Sequence, residues 1–104
     1  MPSSGYSYKD IDEILTGRLR LAIVAFLMTA EKSDFSELLS VTEATKGNLG
    51  AQIQRLEDAK YIKVSKGYIA RRTHMTVSIT ARGKSAFISH IEALQRMVDG
   101  NAQS

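Results

Sequence analysis

Residues Thr45 to Lys60, TKGNLGAQIQRLEDAK, carry large aliphatic side chains only at Leu49, Ile53 and Leu56. Steps of four and then three residues put all three on one narrow stripe of a helix, with small, polar or basic residues around the rest. Such a helix cannot be central: it lies on the surface with its far side open. The period then changes at once. Tyr61 to Ser65 (YIKVS) is short, β-branched and partly alternating, and Met75 to Ile79 (MTVSI) alternates again. The two runs predict an antiparallel pair of strands. Lys66 to His74 would connect them, with Gly67 supplying backbone freedom and Arg71 and Arg72 at or near the tip.

The residues just upstream complete a recognisable layout. Asp34 opens a short helix, Ser36 to Val41, through a D-x-x-E capping box with Glu37, and Leu38 and Leu39 face the core. Phe35 fits either a brief strand or a seat beneath the helix start. Thr45 caps the next helix, whose first turn is Lys46, Gly47 and Asn48 and which ends near Ala59. A short helix, a tight turn, a second helix and a basic hairpin make a unit suited to double-stranded DNA. One element fits the major groove and the other the adjacent backbone or minor groove.

Longer helices flank this unit. The first is expected over Lys9 to Thr29, bent near Thr16-Gly17, with Ile11, Ile14, Leu15, Leu19, Ala22, Ile23, Phe26 and Leu27 at helical spacing. Glu31, Lys32 and Ser33 read as a loop. Thr80 caps a last helix from Ala81 to about Val98, which Asp99-Gly100-Asn101 should stop. Its stripe of Phe87, Ile88, Ile91, Leu94 and Val98 exceeds what one small core readily buries, which predicts a two-fold dimer. Residues 1–8 read as a flexible arm, 9–98 as one domain for DNA binding and dimerisation, and 99–104 as a flexible tail.

Composition narrows the function classes. At 104 residues there is room for one core. The formal charge of +3 is unevenly placed: Thr45 to Thr80 holds seven basic and two acidic residues, so the rest carries a small acidic excess. A chain charged this way presents one positive face. The longest apolar cluster, Leu21 to Met28, is too short for a bilayer, so no membrane association is expected. The N-terminus has no secretory pattern, and a cytoplasmic location is the simpler expectation. Without Cys there are no disulfides or thiolate metal sites. No Gly-rich phosphate loop or paired-carboxylate pattern points to an enzyme, so no catalytic residue, cofactor or metal is expected. His74 and His90 read as surface residues, and Asp10, Asp12 and Glu13 as solvating the first helix.

The candidate contacts follow from side-chain chemistry. Asn48 and Gln52 can each offer paired donor and acceptor groups to adenine, while Lys46 and Arg55 can reach guanine or phosphate. Gly47, Gly50 and Ala51 are small enough for close approach to the groove. Arg71 and Arg72 can enter the minor groove or bond phosphate, and Lys66 adds a backbone contact. Tyr68 and Ile69 are expected to pack against the domain.

The segments RLAIVAFL, DFSELLSVTEATKGNLGAQIQRLEDAKYIKV and VSITARGKSAF resemble the winged-helix regulators related to MarR, in particular the small stand-alone group that shares features with ArsR regulators. The resemblance spans roughly Leu15 to Leu94 and is carried by the joint pattern FxELxxxxxxTxGNLxxxIxxLExAxYI. It implies an α+β, mainly α fold: a winged helix-turn-helix with long N- and C-terminal helices. It implies a transcriptional regulator, typically a repressor, that acts as a homodimer on pseudo-palindromic DNA. Lys46, Gly47, Asn48, Ala51, Gln52 and Arg55 occupy the DNA-facing positions of its recognition helix, and Arg71 and Arg72 match its basic wing. The terminal helices would form the dimer, through Ile11, Ile14, Leu15, Phe87, Ile91, Leu94 and Val98. Gly50 departs from the larger polar residue often found there, which implies either weaker base reading or more weight on backbone and wing contacts. A winged helix serving as a protein-interaction or assembly module stays open at this level, and no effector pocket can be read from the chain.

Overall fold

The computed structural model describes residues 8–102, with side chains through residue 99. Its elements are a 3-10 turn (Tyr8–Asp10), α1 (Arg18–Ala30), β1 (Lys32–Asp34), α2 (Phe35–Thr42), α3 (Lys46–Asp58), β2 (Ile62–Ile69), β3 (Arg72–Ile79) and α4 (Ala81–Ala102). The strands form one antiparallel sheet in the order β1-β3-β2. The expected α+β, mainly helical architecture is borne out.

One core unites these elements. Ile23, Val24 and Leu27 of α1 meet Leu38 of α2, Leu49, Ile53 and Leu56 of α3, Ile62 of β2 and Val77 of β3, all buried. A side chain of this size contributes about 1.5–3 kcal/mol when taken fully out of water. The narrow stripe of α3 therefore holds that helix against the core.

Side-chain caps fix where the helices begin. Asp34 Oδ1 accepts from the Glu37 amide at 2.7 Å, Thr45 Oγ1 from the Asn48 amide at 3.2 Å, and Thr80 Oγ1 from the Gly83 amide at 2.9 Å. Each satisfies an N–H that the helix itself leaves unpaired. The Glu37 carboxylate does not close a reciprocal box; it accepts from Ser33 Oγ at 2.7 Å.

The first helix is shorter than its periodicity predicts. Residues 11–16 turn instead, because side chains there bond the local backbone: Asp12 Oδ1 accepts from the Leu15 amide at 2.9 Å, and Thr16 Oγ1 donates to the Glu13 carbonyl at 2.7 Å. Bonds of this kind compete with the helical ladder. Gly17 is extended, with φ −71° and ψ 126°, and precedes the helix rather than bending it. The Arg20 guanidinium lies where a Gly17 Cβ would stand.

Asp12 is a structural hub and not a solvating charge. Its Oδ2 accepts from the Tyr61 hydroxyl at 2.5 Å, and its amide donates to His90 Nδ1 at 3.1 Å. His90 is 2% exposed, so it is not the surface residue expected; the turn at 11–16 covers it. The Tyr61 hydroxyl is pushed up to about 12 by burial and then by the Asp12 carboxylate that accepts its hydrogen bond.

Other boundaries also move. Lys32–Asp34 forms a strand rather than a loop, because β3 offers its second edge: Lys32, Ser33 and Asp34 pair with Ser78, Val77 and Thr76. The hairpin strands run to a two-residue turn, Ala70-Arg71, with φ of 50° and 68°. That is the left-handed backbone such tight turns require. Gly67 is not the turn residue; it pairs with His74 within the ladder. Tyr68 and Ile69 are 78% and 60% exposed and do not pack on the domain. The hairpin reaches beyond the core, and only its base, the start of β2 and the end of β3, packs on the core.

The last helix does not stop at Val98 but continues to Ala102. Gln95 Nε2 donates to Asp99 Oδ1 at 3.1 Å, one turn on, and a single glycine costs a helix only about 1 kcal/mol. Tyr8 belongs to the 3-10 turn; the rest of the expected arm, residues 1–7, and residues 103 and 104 lie outside the described residues.

Candidate nucleic-acid interface

The outward side of α3 is open. Lys46, Gly47, Asn48, Ala51 and Arg55 are exposed, and Gln52 is half-buried. A Cβ added to Gly47 or Gly50 would meet no atom within 4 Å. Packing inside this chain therefore does not call for glycine at either place.

Gln52 is less free than its residue type implies. Its Nε2 donates to Asn48 Oδ1 at 3.1 Å, and its Oε1 accepts from Arg20 Nη1 at 2.5 Å. Arg20 is itself fixed by donating from Nε to the Ile14 carbonyl at 2.7 Å. The two amides thus form one pre-set unit, tied to the start of α1. Sequence reasoning missed Arg20. Its signal was a cation in the first turn of a helix, where the helix dipole disfavours positive charge.

The hairpin supplies the second cationic element. Arg71 stands at its tip, and Arg72, the first residue of β3, pairs with Ile69. Lys66 on β2 and Lys46 at the start of α3 line one groove between hairpin and helices, together with Phe35, Thr73 and Met75. Asp34, capping α2, is the acidic residue in that groove. Among the described residues the ion pairs are Lys84–Glu31 at 3.8 Å and Arg96–Asp10 at 3.7 Å. Neither involves Lys46, Arg55, Lys63, Lys66, Arg71 or Arg72. Among the described residues, six cations on α3 and the hairpin therefore have no carboxylate within ion-pair distance, which leaves a positive surface on that side.

The terminal segments sort differently. Leu15 is wholly buried in the core of its own chain, so it has no surface to offer a second subunit. Ile14 and Phe87 pack against that core, and Ile11 and Leu94 are half-buried. Ile88, Ile91 and Val98 are exposed along α4. Among the described residues no group of three or more His, Asp or Glu could hold a metal, and no helix is long and apolar enough to cross a membrane.

Residues 19–98 match the family model described as a winged helix DNA-binding domain. The chain belongs to that family. It is similar to an uncharacterized protein of Methanocaldococcus jannaschii, with 31% identity over 80% of this chain and 91% of the other. Among solved structures it is similar to a transcriptional regulator homologue from Pyrococcus horikoshii OT3. That match has a TM-score of 0.78 and 34% identity, and covers 86% of this chain and 88% of that one. BpsR of Bordetella bronchiseptica, whose DNA binding is regulated by 6-hydroxynicotinic acid, shares the fold, with a TM-score of 0.68 and 17% identity over 89% of this chain and 70% of its own. The winged-helix DNA-binding fold read from the sequence is borne out. In this frame α3 occupies the position of the recognition helix of the winged fold, and the β2–β3 hairpin that of the wing.

Proposed function

We propose that this winged-helix protein is a cytoplasmic, homodimeric transcriptional regulator that binds a pseudo-palindromic duplex site as a repressor. The observation that carries the reading is the set of unpartnered cations, Lys46, Arg55, Lys66, Arg71 and Arg72, spread over an open recognition helix and an extended wing. The wing and the N-terminal turn of α3 meet phosphates, while Asn48 and Arg55 face base edges. Gln52, held by Arg20, orients Asn48 and reads bases through what remains of its amide. The Pyrococcus protein, named a transcriptional regulator homologue, supports the same class of role.

The dimer rests on α4. Ile88, Ile91 and Val98 are 50%, 41% and 60% exposed, and a second copy of the helix would cover them. Two recognition helices related by a two-fold axis then read two half-sites about one helical turn apart.

Titration against the duplex upstream of the protein's own reading frame and against a scrambled duplex, at two salt concentrations, tests the reading. Tighter binding to the first, falling steeply with salt, is expected, together with a dimer in light scattering. Equal, negligible binding to both would move the assignment to a protein-assembly module. A monomer at micromolar concentration would remove the two-fold site.

The open space around Gly50 allows a second check. Gly50→Ala is expected to stabilise the free protein by about 1 kcal/mol, because alanine is the better helix former and meets nothing. The same change is expected to weaken duplex binding several-fold, since a methyl stands where the groove approaches. Thermal melting and duplex titration of one variant read both effects. An unchanged affinity would place Gly50 away from the DNA.

A further inference from the structure

The distal wing carries two apolar side chains that the described residues leave largely uncovered. Tyr68 is 78% exposed and Ile69 60% exposed, beyond the point where β2 and β3 lie over the core. As consecutive strand residues they project to opposite faces of the hairpin. Cross-strand pairing sets Tyr68 beside Thr73 and Ile69 beside Arg72, and Ala70-Arg71 closes the end in two residues. The tip is therefore a thin blade with Tyr68 beside Thr73 on one flat, Ile69 beside Arg72 on the other, and Arg71 at its end.

Such a blade suits one kind of surface. A flat protein partner would cover one flat and leave the other side chain in water. A slot with apolar walls on both sides and anionic rims covers Tyr68 and Ile69 together and meets Arg71 and Arg72 as well. The minor groove of DNA has these features, with deoxyribose walls between two phosphate rows. At about 6 Å in regular B-form duplex it is too narrow for a hairpin with side chains on both faces. Seating the blade requires the groove to open, which apolar wedges achieve while bending the duplex.

We infer that Tyr68 and Ile69 form a two-sided apolar wedge that enters and widens the minor groove beside the recognition-helix site. The inference rests on the DNA-binding reading above and adds to it a deformation of the duplex.

The test uses the full chain and a mixed-sequence duplex, with affinity measured at two salt concentrations and bend by circular-permutation gel mobility. The double variant Tyr68→Ser, Ile69→Ser is expected to lose about tenfold or more in affinity. Its salt slope should be unaltered, because no charge is removed, and its bend should be smaller. Tyr68→Phe with Ile69→Val keeps the apolar surface and is expected to match the wild type. Either affinity or bend remaining at the wild-type value in the serine variant overturns the wedge. The DNA reading then stands if Arg71→Ala with Arg72→Ala still weakens binding. Failure of the wild-type chain to bind any duplex overturns both.

Discussion

Replacing Gly83 with alanine is expected to destabilise the protein by about 2 kcal/mol or more, although alanine normally favours a helix over glycine by about 1 kcal/mol. Gly83 lies in the first turn of α4, and a Cβ there would stand 2.2 Å from the Tyr61 carbonyl oxygen and 3.0 Å from its carbon. Both atoms are backbone, so no side-chain rotation can relieve the overlap. The same carbonyl accepts from the Thr80 amide at 3.1 Å, and Thr80 Oγ1 donates to the Lys60 carbonyl at 2.8 Å. Moving α4 away would break that connection. A urea titration with an unchanged slope and a lower midpoint is the expected result. Its opposite sign to Gly50→Ala makes the pair diagnostic: one glycine is required by the fold, the other is not. A Gly83→Ala protein as stable as the wild type would show that α4 is not seated as described.

The double change Arg71→Ala, Arg72→Ala is expected to cost about a hundredfold in duplex affinity for each subunit engaged, as the loss of two charge-assisted contacts there. Specific and scrambled duplexes should suffer alike, since phosphate contacts carry no sequence information. The slope of log affinity against log salt should fall by roughly 0.9 for each phosphate contact removed. Folding should be untouched, because both side chains are exposed and neither belongs to an ion pair among the described residues. Unchanged affinity and slope would mean that the wing does not reach DNA.

The fold was readable where burial follows a strict period. Leu49, Ile53 and Leu56 announced α3 because three large side chains on one stripe admit one orientation. Asp34, Thr45 and Thr80 marked helix starts because their side chains bond amides three residues on. The stretch 11–16 mimics a helix in sequence because Ile11, Ile14 and Leu15 keep helical spacing, while Asp12 and Thr16 bond the local backbone instead. Composition alone does not reveal that contest. Strand β1 has no alternation to detect; pairing with β3 creates it. The burial of His90 leaves no mark on its own helix, since the segment that covers it is 78 residues away in the chain. On the interface, the cations were legible as charges. Arg20 was not, because its bond to Gln52 spans 32 residues and depends on how α1 crosses α3.

The seam around Tyr61 bears on how the protein could be controlled. Tyr61 lies just beyond the end of α3, yet its carbonyl is gripped by the start of α4 and its hydroxyl by Asp12. In a dimer joined through α4, the reading heads would be geared to the subunit joint with little slack. A tilt of the long helix, about 33 Å from end to end, would swing both heads and change the register at which they meet a duplex. Spacing between half-sites would then be an output of how the two subunits lean on each other.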